Sequence, residues 1–453
     1  MAAFEKFSFS TLDEVKEKAR EVEADIPFAE DWHALARPVR IGGQTAPNSM
    51  AVLPMEGYDC DENGVPGELA IRRYCRFAAG GAGLIWWEAC AVVPEGKGNP
   101  REMILRDDNV RAYKGLIEQA NKAAAGACGE QHRPLHILQL THSGRYSRPQ
   151  GHIFQPITAK EDPILDVRFG GTVATDDYLA TLPQQFAQAA LLAQQAGFDG
   201  IEIKACHDYL YGELLSARLR EGRYGGSFEN RIRLLIDTVH AVRAAAGEDF
   251  IIACRLNMYN AHPYEYSFGT DKNDIWTADL EEPLQLVRLL CKEGVGLLTA
   301  SAGNPHHLYP HLTRPFDIGS EGIPLPEEHP LQSAARLMAF AREMQQAAGN
   351  VPVVAAGFSW LRRFAPYAAA GVIENGWVQM AGFARGVLAC PDLPARILQG
   401  EELNPADLCI SCSRCIQIMR DHGSTGCVAR DAATYAPLYK EAKENARVWK
   451  ASL

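Results

Sequence analysis

Three observations predict an α/β protein folded as a (β/α)8 barrel, the TIM barrel, with a C-terminal cysteine-bearing extension. From residue 50 onward, short apolar runs rich in β-branched or aromatic residues alternate with segments of helical periodicity. Eight such runs spread over roughly 350 residues, the span of one barrel. Four cysteines then cluster just past residue 400. A doubly wound open sheet shares the alternation and is the rival architecture.

The runs are Met50 to Leu53, Gly83 to Cys90, Leu135 to Leu140, Gly200 to Lys204, Phe250 to Leu256, Gly296 to Ala300, Val351 to Ala355 and Trp377 to Met380. Between the fourth and fifth, Ile232, Leu235, Ile236, Val239 and Val242 recur on one helix face, and Ser227 is placed to cap it. The helix through Gln184 to Ala196 is expected to stop at Gly197. The segments 257–274 and 303–329 are long enough to cover a site at the C-terminal strand ends. The expected division is a barrel over 1–400 and the extension over 401–453.

Composition narrows the function. A 453-residue chain that is 47% hydrophobic supplies a large core. Asp and Glu outnumber Lys and Arg by 56 to 45, and no basic block exceeds two residues, which argues against a nucleic-acid partner. The run Asp13 to Lys18 replaces the apolar core of a signal peptide, and no window has the roughly 18 apolar residues of a membrane span. A cytoplasmic location with no membrane partner is expected. Cys60, Cys75, Cys90, Cys128, Cys206, Cys254, Cys291 and Cys390 are scattered singly and read as reduced, mostly buried small hydrophobes.

Cys409, Cys412, Cys415 and Cys427 are different, with the spacing C-x2-C-x2-C-x11-C. Three thiolates within seven residues wrap one corner of a cubane, and a fourth from a later loop completes ligation of a [4Fe–4S] cluster. Structural zinc, which usually takes two separated ligand pairs, is the competing reading.

The stretches "AGLIWWEACAVVPEG", "ILQLTHSGR", "FDGIEIKACHDYL", "RYGGSFENRIRLL", "VVAAGF" and "MAGFARGVLACPDLPARIL" running into "CISCSRC" resemble the old yellow enzyme family. Within it they are similar to the iron–sulfur branch containing 2,4-dienoyl-CoA reductase and trimethylamine dehydrogenase. The resemblance covers nearly the whole chain and implies FMN bound at the strand ends. It places Pro54 and Met55 after the first strand and Ala89 after the second against the flavin ring, and Gln139 on its pyrimidine edge. Arg255 matches the cation near flavin N1 and O2, where positive charge stabilises the reduced anion. Gly357, Ala384 and Arg385 match the phosphate cradle, with alanine standing where the family usually has glycine. Tyr224 to Ser227, with Asn230 and Arg231, match a signature read as structural.

The same resemblance makes Tyr209 a proton donor to the α-carbon of an activated alkene that receives a hydride at its β-carbon. His207 matches a position that hydrogen-bonds substrate or flavin. Lys204 departs from the family's neutral imidazole or amide; its ammonium either holds an acidic or strongly polar substrate or turns away into a salt bridge. His306 and His307 fall near where dienoyl reductases carry a second acid, and a solvent-exposed loop fits them equally well. Glu56, Trp86 and Trp87 are candidate pocket residues, the tryptophans equally candidates for barrel packing.

No G-x-G-x-x-G turn of a dinucleotide-binding domain occurs in the sequence. Electrons are therefore expected from NAD(P)H entering the barrel itself, or from a ferredoxin or flavin reductase acting as a donor protein through the cluster. The leading expectation is an ene-reductase acting on a small unsaturated molecule. An amine or other C–H dehydrogenase exporting electrons through the cluster is the second reading, and a non-enzymatic electron carrier the third. A homo-oligomer is compatible with the sequence.

Overall fold

The computed structural model describes residues 3–306 and 309–451, the last two in backbone only. Eight parallel strands form its centre: β1 Met50–Val52, β2 Leu84–Ala91, β3 Leu135–Thr141, β4 Gly200–Ala205, β5 Ile251–Asn257, β6 Leu297–Ser301, β7 Val353–Ala355 and β8 Met380–Phe383. Each pairs with its sequence neighbour, and β8 pairs with β1 through Ala381–Met50 and Phe383–Val52, so the sheet closes. The (β/α)8 barrel expected from the sequence is present.

Alternation along the strands separates two cores. On β2, Leu84 and Trp86 point inward to meet Ala51, Leu135, Ile137, Ala253 and Val354, while Ile85 and Trp87 face the surrounding helices. Packing accounts for both rings, although the Trp86 Nε1–H is buried without a partner. Trp87 stacks 3.7 Å from Tyr74 and donates its indole N–H to His136 Nδ1 at 3.1 Å. An antiparallel hairpin, Val39–Ile41 with Gln44–Ala46, places Ile41 and Ala46 in the inner core and stops the N-terminal end of the barrel.

The helices that cover the sheet are α1 Glu68–Ala79, α2 Val110–Cys128, α3 Asp176–Ala196, α4 Phe228–Ala246, α5 Glu281–Lys292, α6 Pro330–Ala348, α7 Ala365–Glu374 and α8 Leu393–Gln399. Ser227 caps α4 as expected, its side chain accepting from Asn230 N at 3.3 Å. α3 ends at Gly197 in the left-handed region, but it begins at Asp176, eight residues before the periodic stretch, because Thr175 caps it and Pro183 is accommodated inside. The eighth strand starts at Met380 rather than Trp377. Its Gly382 lies where a Cβ would come within 2.7 Å of the Leu53 side chain, so close packing puts glycine inside a strand.

Beyond α8, helices α9 Arg414–Arg420 and α10 Ala432–Ala451 lie over the C-terminal ends of the strands. Asp431 accepts from Arg72 at 2.6 Å and from Arg76 at 2.7 Å, both on α1. Thr425 N donates to Gly57 O at 2.7 Å, and Arg420 reaches Ser320 Oγ at 2.7 Å and Pro305 O at 2.6 Å. At the centre of these contacts the buried Arg73 guanidinium pairs with Asp59, with Glu88 at 2.8 Å, and with Thr425 O at 3.1 Å. Replacing Arg73 with leucine leaves two buried carboxylates without their partner. Urea unfolding of Arg73→Leu should show a loss of about 3–5 kcal/mol.

Candidate active site

Because the strands are parallel, their C-terminal ends meet on one face. There a cavity of about 1160 Å³, counted out to its open mouth, is bounded by residues of β3, β4, β5, β8 and α9 and by the residues just after β1 and β7. Pro54, Met55, Gln139, Lys204, His207, Tyr209, Arg255, Gly357, Ala384 and Arg385 all line it. Ala89 is not among the lining residues; it is buried in the wall beside Gln139, where the β2–β3 register shifts between Trp87 and Ala89. His307 lies outside the described residues.

The floor of the cavity carries unused hydrogen-bonding capacity. Gln139 Nε2 donates to Glu202 Oε2 at 3.1 Å, while Glu202 Oε1 and Arg255 Nε are buried without partners. Burial pushes Glu202 up to about 7, against the pull of the Arg255 charge. On the β7–β8 side, Arg385 Nη2 donates to Pro315 O at 2.6 Å, and its Nη1 is buried without an acceptor. Arg314, from the loop after β6, has a buried Nε without a partner. Burial, then the charges of Arg385 and Arg420, push Arg314 down to about 9. Unpaired guanidinium donors that repel one another form a site for an anion, and an amide beside a carboxyl suits the edge of a heterocycle. Both features fit FMN.

The turn after β4 sets the reacting face. His207 and Asp208 both hold left-handed backbone, with φ of 61° and 57°. Strain of this kind costs about 1–3 kcal/mol per residue and persists only when the surroundings enforce it. Here Asn260 and Asn304 donate to the two Asp208 oxygens at 2.8 Å and 2.6 Å. His207 Nε2 lies 2.6 Å from Ser301 Oγ, and burial, with Arg255 and Lys204 nearby, drives its pKa well below that of an ordinary histidine. Neutral imidazole results.

Tyr209 is 4% exposed, and its hydroxyl donates to Glu56 Oε1 at 2.8 Å. Burial and the Glu56 charge raise the phenol well above its ordinary value, so it stays protonated. Lys204 Nζ donates to the same Glu56 oxygen at 3.0 Å, and Tyr58 Oη donates to the other, also at 3.0 Å. Burial opposes ionisation of Glu56, but Lys204, then His306, and these hydrogen bonds hold its carboxyl at about 2. His306 is buried rather than solvent-exposed, with Nε2 3.2 Å from Tyr209 Oη and its ring stacked 4.1 Å from Tyr146. Lys204 therefore faces the cavity and is salt-bridged at once.

Nothing in the sequence marks Tyr58, Tyr146, Glu202, Arg314 or Arg420 as site residues. Arg314 lies in the predicted covering loop, but nothing in its local sequence marks it as inward-facing. Sequence alone makes Glu56 a lining candidate; its role depends on partners about 150 residues away, at Lys204 and Tyr209.

Cys409, Cys412, Cys415 and Cys427 line one small cavity beside the first, and Cys415 lines both. Ser411 N donates to Cys409 Sγ at 3.4 Å and Arg430 N to Cys427 Sγ at 3.3 Å. Burial, then the neighbouring Cys409, pushes Cys415 up to about 12, so a thiolate there calls for bound positive charge. Among the described residues no three Cys, His, Asp or Glu side chains stand close enough to hold a metal ion as they are.

The cavity at the strand ends is thus cationic and amide-lined, with a buried, protonated phenol in its wall. The chain belongs to the NADH:flavin oxidoreductase / NADH oxidase family, whose family model matches residues 34–282. This bears out the resemblance to the old yellow enzyme family. It is 29% identical over 382 residues to the "NADH oxidase" of Thermoanaerobacter brockii, covering 83% of this chain and 52% of that protein. It is 30% identical over 273 residues to the "NADPH dehydrogenase" of Bacillus velezensis, covering 59% of this chain and 73% of that one. Among solved structures, a 2-naphthoyl-CoA reductase complex superposes with a TM-score of 0.67 at 23% identity, over 85% of this chain and 54% of that chain. The chain thus spans about half the length of the first and last of these proteins.

Because folded Glu202 holds its proton up to about 7, the native state binds more protons than the unfolded chain between roughly pH 4.3 and 7. Its contribution to stability is lost as pH rises through that window. Glu202→Gln should remove a slope of up to about 1.4 kcal/mol per pH unit from denaturation measured across it. An unchanged slope would place the proton elsewhere.

Proposed function

We propose that the chain is an FMN- and [4Fe–4S]-dependent ene-reductase that reduces an activated C=C bond of a polar or acidic alkene, with Tyr209 as proton donor. The observation that carries this reading is the Tyr209 hydroxyl, kept protonated inside the cavity and hydrogen-bonded to Glu56 at 2.8 Å. Pro54, Met55, Gln139, Arg255, Gly357, Ala384 and Arg385 would hold FMN, with Ala89 behind them in the wall. Cys409, Cys412, Cys415 and Cys427 would hold the cluster, in an extension assigned to 401–453 beside a barrel assigned to 1–400. Bound there, FMN supplies hydride and the cluster supplies single electrons.

The chain's own residues do the rest. Arg255, 3.4 Å from Ser301 Oγ, sets positive charge at the cavity floor. Neutral His207 offers its ring to a substrate carbonyl, polarising the double bond. Tyr209 gives its proton to the α-carbon, and the nearby Glu56 charge disfavours the phenolate left behind, so the proton is replaced within turnover. His306 Nε2 stands 3.2 Å away, and burial pushes that imidazole down to about 3, so it is neutral and serves only to relay a proton taken up at its other nitrogen. Arg420, which lines the cavity and is not among the residues that would hold FMN, adds positive charge that favours an acidic or polar alkene. Reducing electrons would come from NAD(P)H or a ferredoxin-like donor protein through the cluster. The cation already seated at Lys204 weighs against the amine-dehydrogenase reading, and the shaped site around Tyr209 and His207 against a simple electron carrier.

In anaerobic stopped-flow experiments, Tyr209→Phe should be reduced by NADH or NADPH at the wild-type rate. Its reoxidation by cinnamaldehyde or cinnamate should slow roughly 10²–10⁴-fold. Reoxidation at the wild-type rate would remove Tyr209 from the proton-donor role.

A further inference from the structure

We propose that Lys204 is the built-in occupant of an ammonium subsite, made from the Glu56 carboxylate and the face of Tyr209, and that it sets the charge preference of the substrate pocket. Its Nζ stands 3.5 Å from the Tyr209 ring centroid and 3.0 Å from Glu56 Oε1. Both partners are drawn from the water: the Lys204 side chain is 4% exposed and that of Glu56 12%. A carboxylate beside an electron-rich ring is the pairing that recognises an alkylammonium group, and the attraction strengthens as water is excluded.

The rest of the surroundings fit a subsite rather than an incidental ion pair. Tyr58 Oη holds the second Glu56 oxygen at 3.0 Å, which fixes the plane of the carboxylate. Tyr146 and the neutral His306 ring stand beside Tyr209, with centroids 5.6 Å from it in each case. The pocket therefore contains an anionic, aromatic corner whose own residue already satisfies it. A second ammonium is excluded by like charge and by volume. A carboxylate gains little from Lys204 itself, since Glu56 has already taken the charge, so acidic groups must be bound by the arginines on the other side.

The inference rests on the reading of this cavity as the substrate pocket, and the ligand chemistry it names is the small primary or methylated alkylammonium. Lys204→Ala removes three methylenes and the ammonium, the outline of n-propylammonium. Calorimetric titration of Lys204→Ala should show n-propylammonium binding about tenfold or more tighter than 1-propanol. Wild-type protein should show no such preference, and the Lys204→Ala/Glu56→Gln double variant should lose it. Glu56→Gln reads the pair from the other side: with Lys204 released, propionate should bind about tenfold or more tighter than to wild type. It also serves if the lone Glu56 charge prevents Lys204→Ala from folding. The proposal is overturned if Lys204→Ala prefers neither ligand, if the preference survives in the double variant, or if Glu56→Gln gains nothing for propionate. Calorimetry needs no bound flavin, so a protein unable to carry FMN would fail the reading of the cavity without deciding this result.

Discussion

One buried guanidinium joins the parts on which the site depends. Arg73, on α1, binds Asp59 and Glu88 and also the Thr425 carbonyl of the C-terminal extension. Glu88 in turn accepts from the backbone N–H of Gly57, the residue after Glu56. A charge this deep in the protein is tolerable only when its partners are fixed around it. The consequence is a continuous set of buried polar contacts from the extension, through α1 and the middle of β2, to the loop that carries Glu56.

Glu56 then converts position into electrostatics. An ionised carboxylate shared by a phenol, an ammonium and a second phenol makes opposite demands on its neighbours, keeping Tyr209 protonated while matching the charge of Lys204. The remaining positive charge of the cavity lies with Arg255, Arg314, Arg385 and Arg420. Charge is thus divided across the pocket, with a neutralised corner at the proton donor and an anion-seeking region toward β7 and β8. Cys415 borders that second region as well as the cavity of the other three cysteines.

Much of this was legible because it is local in sequence. Eight apolar runs placed the strands, since a parallel sheet buries both faces and leaves continuous hydrophobic segments. Seven fell close to their observed positions, and the eighth slipped by three residues because Gly382 follows packing against Leu53 rather than strand propensity. The cysteine spacing and the strand-end residues were equally visible. The arrangement around Glu56 was not, because two of its three donors, Lys204 and Tyr209, come from β4 and the segment after it. Trp86 and Trp87 show the converse: adjacent tryptophans suggest a pocket, yet strand alternation sends them into two different cores. Burial of His306, set by its stacking on Tyr146, was likewise beyond any local pattern.

The central claim is that the strand-end cavity holds a flavin and the four cysteines of the adjoining cavity an iron–sulfur cluster, with Cys415 lining both. Chemical analysis of anaerobically purified protein tests it most directly. The account predicts about one FMN and about four each of iron and acid-labile sulfide per chain, with iron and sulfide lost together in Cys415→Ser. Protein that carries stoichiometric zinc and no flavin would contradict it.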